Sequence, residues 1–228
     1  MARKRRAYFV TGTDTDCGKT YATCALLRAA QTAGFTSVGL KPVAAGGLEQ
    51  DGKLRNEDAL ALMEASSIQL SYQEVNPFCL REPLAPHIAA KREGRSLGLS
   101  QVAGITRGSL MQRVDLVLVE GAGGWRVPLN DREFLSGLAK ELQLPVIMVV
   151  GLRLGCLSHA FMTAEAIRND GLRLAGWIGS QVDPDMSAME ENLETLKGRF
   201  AAPCLGVLPY SQSPDLSLLD VHALLPED

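Results

Sequence analysis

Short apolar runs alternate with longer amphipathic stretches along the 228 residues of the chain. Several of these runs are nearly continuous in Val, Ile and Leu, which is typical of strands covered on both faces. The pattern predicts strands at residues 7–11, 37–40, 116–120, 146–150, 174–179 and 205–208. It predicts helices at residues 20–33, 56–64, 99–112, 134–141, 158–169 and 186–199.

Alternation of strands and helices predicts an α/β fold, a mostly parallel sheet with helices on both faces. The chain has no internal repeat or linker, and residues 76–86 read as an internal loop, so we expect a single domain over residues 1–228. In such sheets ligands bind at the carboxyl ends of the strands. The polar segments after residues 12, 40, 119 and 150 should therefore converge on one edge.

Composition excludes several classes of function. The net charge of −3 gives no basic excess for nucleic acid, and the basic cluster at residues 3–6 is expected to be a solvated edge. No apolar run approaches the ~18 residues that span a bilayer, and no signal-peptide pattern opens the chain. Five scattered cysteines without a C-x-x-C pair favour a reducing cytoplasm.

A glycine-bounded loop, Gly12-Thr-Asp-Thr-Asp-Cys-Gly-Lys-Thr20, joins the first predicted strand to the first helix. This order predicts a phosphate-binding loop (P-loop), in which backbone N–H groups and the helix N-terminus bind phosphates. Lys19 would reach the β- and γ-phosphates, and the Thr20 hydroxyl would ligate Mg²⁺. The loop has five residues between its glycines where the generic pattern has four. The alternative is an ordinary turn with a surface lysine, and the flanking elements favour nucleotide binding.

The predicted strand at 116–120 ends in Glu120, followed by the small residues Gly121-Ala-Gly-Gly124. An acidic residue at this position helps to hold Mg²⁺ in P-loop enzymes. The alternatives are a solvated cap on a tight turn and a dinucleotide fingerprint, which Arg126 interrupts at its last glycine position. The P-loop upstream favours the metal role.

Lys41 follows the strand at 37–40, and Pro42 holds its backbone extended. A second cation opposite Lys19 would suit a reaction in which an acyl or phosphoryl oxygen gains charge. The residues alone do not decide between this role and a surface lysine. Asn56-Glu57-Asp58 opens a predicted helix, where one of the two carboxylates would serve as an N-terminal cap, and spacing alone does not make Asp58 a metal ligand. His87, His159 and His222 are isolated, which favours structural roles.

Together these residues resemble the dethiobiotin synthetase family, the ATP-dependent carboxylases of biotin synthesis. The resemblance extends over most of the chain, and the five-residue loop spacing is this family's own form. It rests on Tyr8-Phe-Val-Thr-Gly-Thr-Asp-Thr-Asp16 with Gly18-Lys-Thr20, Lys41-Pro-Val-Ala44, Val75-Asn-Pro77, Pro86-His87, Val119-Glu-Gly-Ala-Gly-Gly-Trp125, Leu144-Pro-Val146, Gly155-Cys156 and Leu174-Ala-Gly-Trp177.

The resemblance implies an ATP- and Mg²⁺-dependent ligase of the cytoplasm. Such an enzyme joins CO₂ to 7,8-diaminononanoate and closes a cyclic urea through a carbamate and a carbamic–phosphoric anhydride. It also implies a homodimer, with Lys41 and Lys19 as catalytic residues. Mg²⁺ would bind to Thr20, Asp58 and Glu120.

The resemblance also implies ligand contacts, and it has departures. The nucleotide would contact Asp16, Cys17, Gly18, Lys19, Thr20, Tyr21, Asp58, Glu120, Gly121, Ala122, Gly123, Ser180, Gln181, Pro209, Tyr210, Ser211 and Asp215. The substrate would contact Ala45, Gly155, Cys156, Leu157 and Ser158, the last four across the dimer interface. Ala45 replaces a usual serine, Ser158 a usual asparagine, and Ser180-Gln181 a usual Asn-Asp. The base preference and the fine substrate contacts therefore stay open.

Two alternatives share the P-loop. A switch ATPase of the partition and cell-division type usually carries a further lysine early in the loop, where this chain has Asp14, and a basic amphipathic C-terminal helix, which this sequence lacks. An amide-forming ligase of the cobyrinate type usually adds a glutaminase domain, for which the sequence is too short. Both are therefore disfavoured.

Overall fold

The computed structural model describes residues 5–211 and 213–225. Its strands are β1 (Arg6–Gly12), β2 (Ser37–Leu40), β3 (Val43–Ala44), β4 (Leu48–Gln50), β5 (Lys53–Arg55), β6 (Phe78–Cys79), β7 (Leu116–Glu120), β8 (Val146–Leu152), β9 (Leu174–Gln181) and β10 (Cys204–Leu208). Its helices are α1 (Lys19–Thr32), α2 (Glu57–Ala65), α3 (Tyr72–Val75), α4 (Pro86–Arg92), α5 (Leu99–Ser109), α6 (Gly137–Glu141), α7 (Cys156–Asn169) and α8 (Met189–Arg199). Two 3₁₀ turns follow, Leu216–Leu218 and His222–Leu224.

Six strands form the central sheet in the order β10-β9-β8-β1-β7-β2, and every neighbouring pair is parallel. β1 lies between β7 and β8, with Phe9 in register with Val119 and Val146. The carboxyl ends of all six strands therefore lie on the same edge of the sheet. The predicted α/β fold is confirmed.

Side chains of the central strands alternate between two hydrophobic layers. Tyr8 and Val10 of β1 pack in the layer that contains α1, whereas Phe9 packs in the layer that contains α5 and α6. Further along the second face, Met148 and Val150 of β8 pack with α7 and α8. Burial of an aliphatic side chain contributes about 1.5–3 kcal/mol. This two-sided burial is why the strands read as unbroken apolar runs in the sequence.

The prediction of a plain loop at residues 76–86 is wrong, because β6 lies within it and α4 begins at Pro86. β6 pairs with β3, and two-residue strands are too short to show a periodic pattern. The hairpin of β4 and β5 was also not predicted. Its turn carries Asp51-Gly52, both at positive φ, which is a recognised hairpin signal.

Several predicted helix boundaries shift by two or three residues. The helix predicted at 134–141 begins at Gly137, because Phe134 forms an isolated bridge with Pro128. The helices predicted from 158 and 186 begin at Cys156 and Met189, and that predicted to 112 ends at Ser109. Helix ends are set by local capping and not by the hydrophobic repeat.

Of the basic cluster at residues 3–6, the structure describes Arg5 and Arg6. Arg5 is exposed, as predicted for a solvated edge, and its guanidinium donates to the carbonyl of Leu110. Arg6 begins β1. No helix in the described part of the chain has the length and hydropathy to cross a membrane.

The segment after β7 is anchored to the end of α7 by one carboxylate. Asp170 accepts hydrogen bonds from Trp125 Nε1 at 2.8 Å and from Arg126 at 2.5 Å, and the Lys140 ammonium lies 3.4 Å away. Partial burial alone would raise the pKa of Asp170, but the bonds from Arg126 and Trp125 outweigh it. The pKa of this carboxyl is therefore held below its usual value. The stabilising form is the carboxylate.

We expect Asp170→Asn to lower the free energy of unfolding by about 1.5–3 kcal/mol at neutral pH, the range for hydrogen bonds to a charged group. Because the folded-state pKa is depressed, the stabilisation is present above the unfolded pKa of about 3.9 and is lost as the pH falls through the folded value. Urea titrations from neutral pH downward measure it, with the exposed Asp131→Asn as control. A difference that stays constant across the carboxyl range would contradict this origin.

Candidate active site

A cleft of about 840 Å³ opens at the carboxyl edge of the sheet. It lies where the loop after β1, the turn after β2 and the segment after β7 meet, as the sequence predicted. Its lining comprises Thr15, Asp16, Gly18, Lys19, Thr20, Tyr21, Lys41, Ala44, Ala45, Asn56, Asp58, Pro83, Leu84, Ala85, Pro86, Ala122, Gly123 and Val127. The lining residues that were not predicted as site residues are Thr15, Ala44, Asn56, residues 83–86 and Val127.

The loop after β1 is shaped by two glycines that admit no side chain. A Cβ at Gly12 would lie 2.3 Å from Cys17 Sγ. Gly18 has φ of 84° and caps α1, and a Cβ there would lie 2.2 Å from Ser180 Oγ. The loop therefore packs closely on β9 while the first turn of α1 points at the cleft. Unpaired N–H groups in a first helical turn form an anion site.

Lys19 folds back over this loop. Its ammonium donates to the carbonyl oxygen of Asp14 at 3.1 Å, and its side chain is largely buried. The Asp14 carboxylate points elsewhere, because it pairs with Arg153 and lies 3.7 Å from His159 Nδ1. The ammonium of Lys19 thus has a neutral partner, which a phosphate oxygen could replace.

Lys41 is buried, with only 3% of its surface exposed, so the surface-lysine alternative is wrong. Its ammonium donates to Glu120 Oε1 at 2.6 Å, to Asp58 Oδ2 at 2.9 Å and to the Gly121 carbonyl at 3.2 Å. Burial alone would lower the pKa of Lys41, but the charges of Glu120 and Asp58 outweigh it and raise the pKa. The ammonium therefore stays charged at neutral pH.

The three predicted metal ligands meet around this ammonium. The Thr20 hydroxyl donates to Glu120 Oε1 at 2.8 Å. Burial would raise the pKa of Asp58, but Lys41, together with Thr20 and Lys19, lowers it by more, so Asp58 is ionised at neutral pH. Glu120 is fully buried, and its Oε2 finds no hydrogen-bond partner in the described structure. Carboxylate and hydroxyl oxygens are ligands that Mg²⁺ accepts, and the orphaned oxygen fits a cation beside them.

No cluster of three or more His, Cys, Asp or Glu side chains able to hold a metal occurs within residues 5–211 and 213–225. A cation at Thr20, Asp58 and Glu120 would therefore depend on few protein ligands. Mg²⁺ is typically bound in this way, by one or two carboxylates with substrate phosphates and water.

The predicted base-binding residues lie at the end of β9, after β10 and at the start of the first 3₁₀ turn, and none of them lines the cleft. Ser180 is buried against Gly18, and Gln181 Oε1 accepts the N–H of Tyr210 at 3.2 Å, which joins the segments after β9 and β10. Tyr210 is exposed, as are Pro209 and Ser211. Asp215 accepts the N–H of Ser217 at 3.0 Å and caps a 3₁₀ turn. Its carboxylate is thus already engaged within its own turn.

The predicted substrate residues fall into two places. Ala45 lines the cleft, whereas residues 155–158 begin α7 and are absent from its lining. The Cys156 thiol is buried, and the backbone N–H of Cys156 donates to the carbonyl of Arg153 at 3.0 Å. The Cys156 N–H is therefore engaged in the turn that begins α7, and the assignment of residues 155–158 to a substrate carboxylate stays a prediction. Helix starts often use their first N–H in a tight turn, which the sequence does not reveal.

A P-loop on a parallel sheet, with a carboxylate at the end of the neighbouring strand, defines a P-loop nucleotide-binding protein. Residues 6–215 match the family model described as an AAA domain. The chain is 55% identical to the ATP-dependent dethiobiotin synthetase BioD of Cellvibrio japonicus over 96% of this chain and 95% of that protein. It is 49% identical to the same-named protein of Aromatoleum aromaticum over 97% and 98%.

The chain belongs to the dethiobiotin synthetase family, a family of ATP-dependent ligases. A solved structure of cobyrinic acid a,c-diamide synthase from Mycobacterium smegmatis is similar with a TM-score of 0.56 and 13% identity. The match covers 96% of this chain and 91% of that one. At this identity the likeness concerns the fold alone.

We expect Gly18→Ala to weaken ATP binding at least tenfold. The new Cβ would meet Ser180 and widen the loop, in addition to the about 1–2 kcal/mol that a left-handed conformation costs an L-residue. Gly34→Ala is the matched control, because Gly34 has φ of 82° and a Cβ there meets no described atom within 4 Å. Calorimetric titration with ATP and Mg²⁺ compares the two. Equal affinities would show that the loop tolerates the added methyl.

Proposed function

We propose that the chain catalyses the ATP- and Mg²⁺-dependent carboxylation and ring closure of 7,8-diaminononanoate with CO₂. The products would be dethiobiotin, ADP and phosphate. The observation that carries the proposal is the buried Lys41 ammonium between Glu120 and Asp58, beside the P-loop of a chain in this family.

The reaction has three balanced steps. One substrate amine adds to CO₂ and loses a proton, which gives a carbamate. A carbamate oxygen attacks the γ-phosphorus of ATP, the bond to ADP breaks, and a carbamic–phosphoric anhydride forms. The second amine attacks the anhydride carbon, phosphate leaves with the bonding pair, and the amine loses its proton as the urea ring closes. Holding the reactants in one cleft supplies much of the acceleration.

The two lysines would stabilise different negative charges, Lys19 those of the phosphates and Lys41 that of the carbamate. Lys19 would exchange the Asp14 carbonyl for the β- and γ-phosphate oxygens, while backbone N–H groups of residues 16–21 hold the phosphates. Lys41 is held by carboxylates at the floor of the cleft, where it would stabilise the carbamate and the developing charge of the anhydride.

Mg²⁺ would be held by Thr20, Asp58 and Glu120, with Glu120 Oε2 as the oxygen that lacks a partner. When bound, it supplies neutralisation of the β- and γ-phosphate charge during transfer. The residues present fit this ion because all three offer hard oxygen ligands. The small residues Gly121, Ala122 and Gly123 would let the nucleotide lie close to the backbone.

The outer contacts are part of the proposal. The base would contact Ser180, Gln181, Pro209, Tyr210, Ser211 and Asp215, and the substrate would contact Ala45, which lines the cleft. Residues 155–158 lie off the cleft, so we propose that they serve the substrate carboxylate of a partner copy in a homodimer. Sedimentation at micromolar concentration tests this, and a purely monomeric species would contradict it.

The switch-ATPase alternative is not favoured, because relatives that share about half of the residues are synthetases. Asp14 stands where that class carries its extra lysine, and its carboxylate pairs with Arg153. The absence of nucleic-acid or membrane partners and the cytoplasmic location stay predictions.

The direct test is product formation. Purified protein with ATP, Mg²⁺, bicarbonate and 7,8-diaminononanoate is expected to release ADP and phosphate and to form one cyclic urea per ATP consumed. Omission of the diamine is the control, since hydrolysis should then fall to background. Diamine-independent hydrolysis without urea at saturating substrates would exclude the proposed reaction.

We expect Lys41→Ala to lower kcat by about 10²–10³-fold, because a preorganised charge at the reacting centre is removed. The affinity for ATP should change less than threefold, since Lys19 and the P-loop remain in place. Steady-state kinetics and calorimetry measure the two effects separately. Unchanged turnover would remove Lys41 from the chemistry, and a large loss of ATP affinity would assign it to the phosphates.

A further inference from the structure

Both backbone polar groups of Lys41 form hydrogen bonds to one short segment at the end of α3. The Lys41 N–H donates to the Val75 carbonyl at 2.9 Å, and the Lys41 carbonyl accepts from Asn76 Nδ2 at 2.6 Å. Asn76 is buried. Both polar groups of the Lys41 backbone are therefore satisfied by adjacent residues at the end of α3.

A single phenol continues this chain of bonds. The Tyr72 hydroxyl donates to Asn76 Oδ1 at 2.7 Å and accepts the N–H of Asn56 at 2.8 Å. A hydroxyl can do both, because it has one proton and two lone pairs. The Tyr72 ring is buried, and the Arg55 guanidinium lies 4.0 Å from its centroid. The orientation of the phenol is thus restricted from two sides.

Asn56 connects the Tyr72 hydroxyl to the helix that carries Asp58, which is the second carboxylate bonded to the Lys41 ammonium. Its Oδ1 accepts the N–H of Ala59 at 3.2 Å and caps α2, the helix whose first turn carries Asp58. Its Nδ2 donates to the Ala45 carbonyl at 3.1 Å, just beyond Lys41 along the chain. The N-cap of α2 and the segment directly after β3 are therefore joined by the same side chain.

We propose that Asn56, Tyr72 and Asn76 form a positioning relay that sets the distance between Lys41 and Asp58. Asn76 fixes the Lys41 backbone and Asn56 fixes the start of α2, and the Tyr72 hydroxyl bonds to both. None of the three need touch the reacting atoms, so they are positioning residues. The catalytic part of the inference rests on the proposed function.

The kinetic test compares Tyr72→Phe with Tyr8→Phe. Tyr8 is also buried, and its hydroxyl donates to the Leu224 carbonyl at 3.1 Å, away from the cleft. Each variant loses one hydroxyl. Tyr8→Phe breaks one hydrogen bond and is expected to lower Tm by about 2–4 °C, and Tyr72→Phe breaks two and is expected to lower it by about twice as much. Tyr72→Phe should lower kcat about ten- to a hundredfold with KM for ATP within about twofold, because misplacement at a reacting centre is amplified. Tyr8→Phe should leave kcat within about twofold.

A second measurement needs no substrate. In a Lys41→Met background, the Tm loss caused by Tyr72→Phe should fall to about half or less, because the ion pair that the relay positions is gone. The loss caused by Tyr8→Phe should be the same in both backgrounds. If wild-type protein forms no urea, the proposed function fails, and this thermal cycle still decides whether the relay is coupled to Lys41.

The outcomes separate cleanly. Equal kcat for Tyr72→Phe and Tyr8→Phe, or additive Tm losses in the cycle, would overturn the proposal. Should Tyr72→Phe fail to fold, Asn76→Ser replaces it in both measurements, because that variant removes the donor to the Lys41 carbonyl. The same fall in kcat and the same non-additivity with Lys41→Met are then expected.

Discussion

A buried ammonium between two carboxylates is the constraint on which this site depends. Lys41 follows β2, Glu120 ends β7 and Asp58 lies in the first turn of α2, and the buried charges of Lys41 and Glu120 would be costly without each other. Removing one member of such a pair leaves an uncompensated charge, which typically destabilises a protein by about 3–5 kcal/mol. The three elements therefore have to meet at this point for the fold to be stable.

This charge balance also prepares the site for a further cation. One ammonium between two carboxylates leaves a net negative charge, next to the hydroxyl of Thr20 and the unpartnered Oε2 of Glu120. A divalent ion with phosphate oxygens would complete the coordination that the protein offers only in part. The same arrangement serves stability without ligand and electrostatic stabilisation with it, so one set of residues meets both requirements.

The sequence predicted what depends on continuous patterns. The central strands and the P-loop were found because apolar runs and glycine spacing are local, and Glu120 was found because it ends such a run. The sequence could not decide whether Lys41 is a site residue or a surface lysine, since its burial depends on Asp58 and Glu120, which lie 17 and 79 positions away. Tyr72 was missed, and Asn76 was noted only within the motif Val75-Asn-Pro77, with no role assigned. Their bonds join side chains to distant backbone, and such bonds leave no periodicity to detect.

The two lysines differ in a way that assigns them different tasks. The partner of Lys19 is an uncharged carbonyl, whereas a phosphate oxygen would offer its ammonium a negative charge, so phosphate can displace the carbonyl. The partners of Lys41 are two carboxylates, the buried Glu120 and the partly exposed Asp58, so each bond also joins opposite charges. Lys19 can therefore move with the nucleotide, while Lys41 stays fixed. A fixed charge needs no reorganisation when the reacting oxygen becomes negative, which is the condition for electrostatic catalysis.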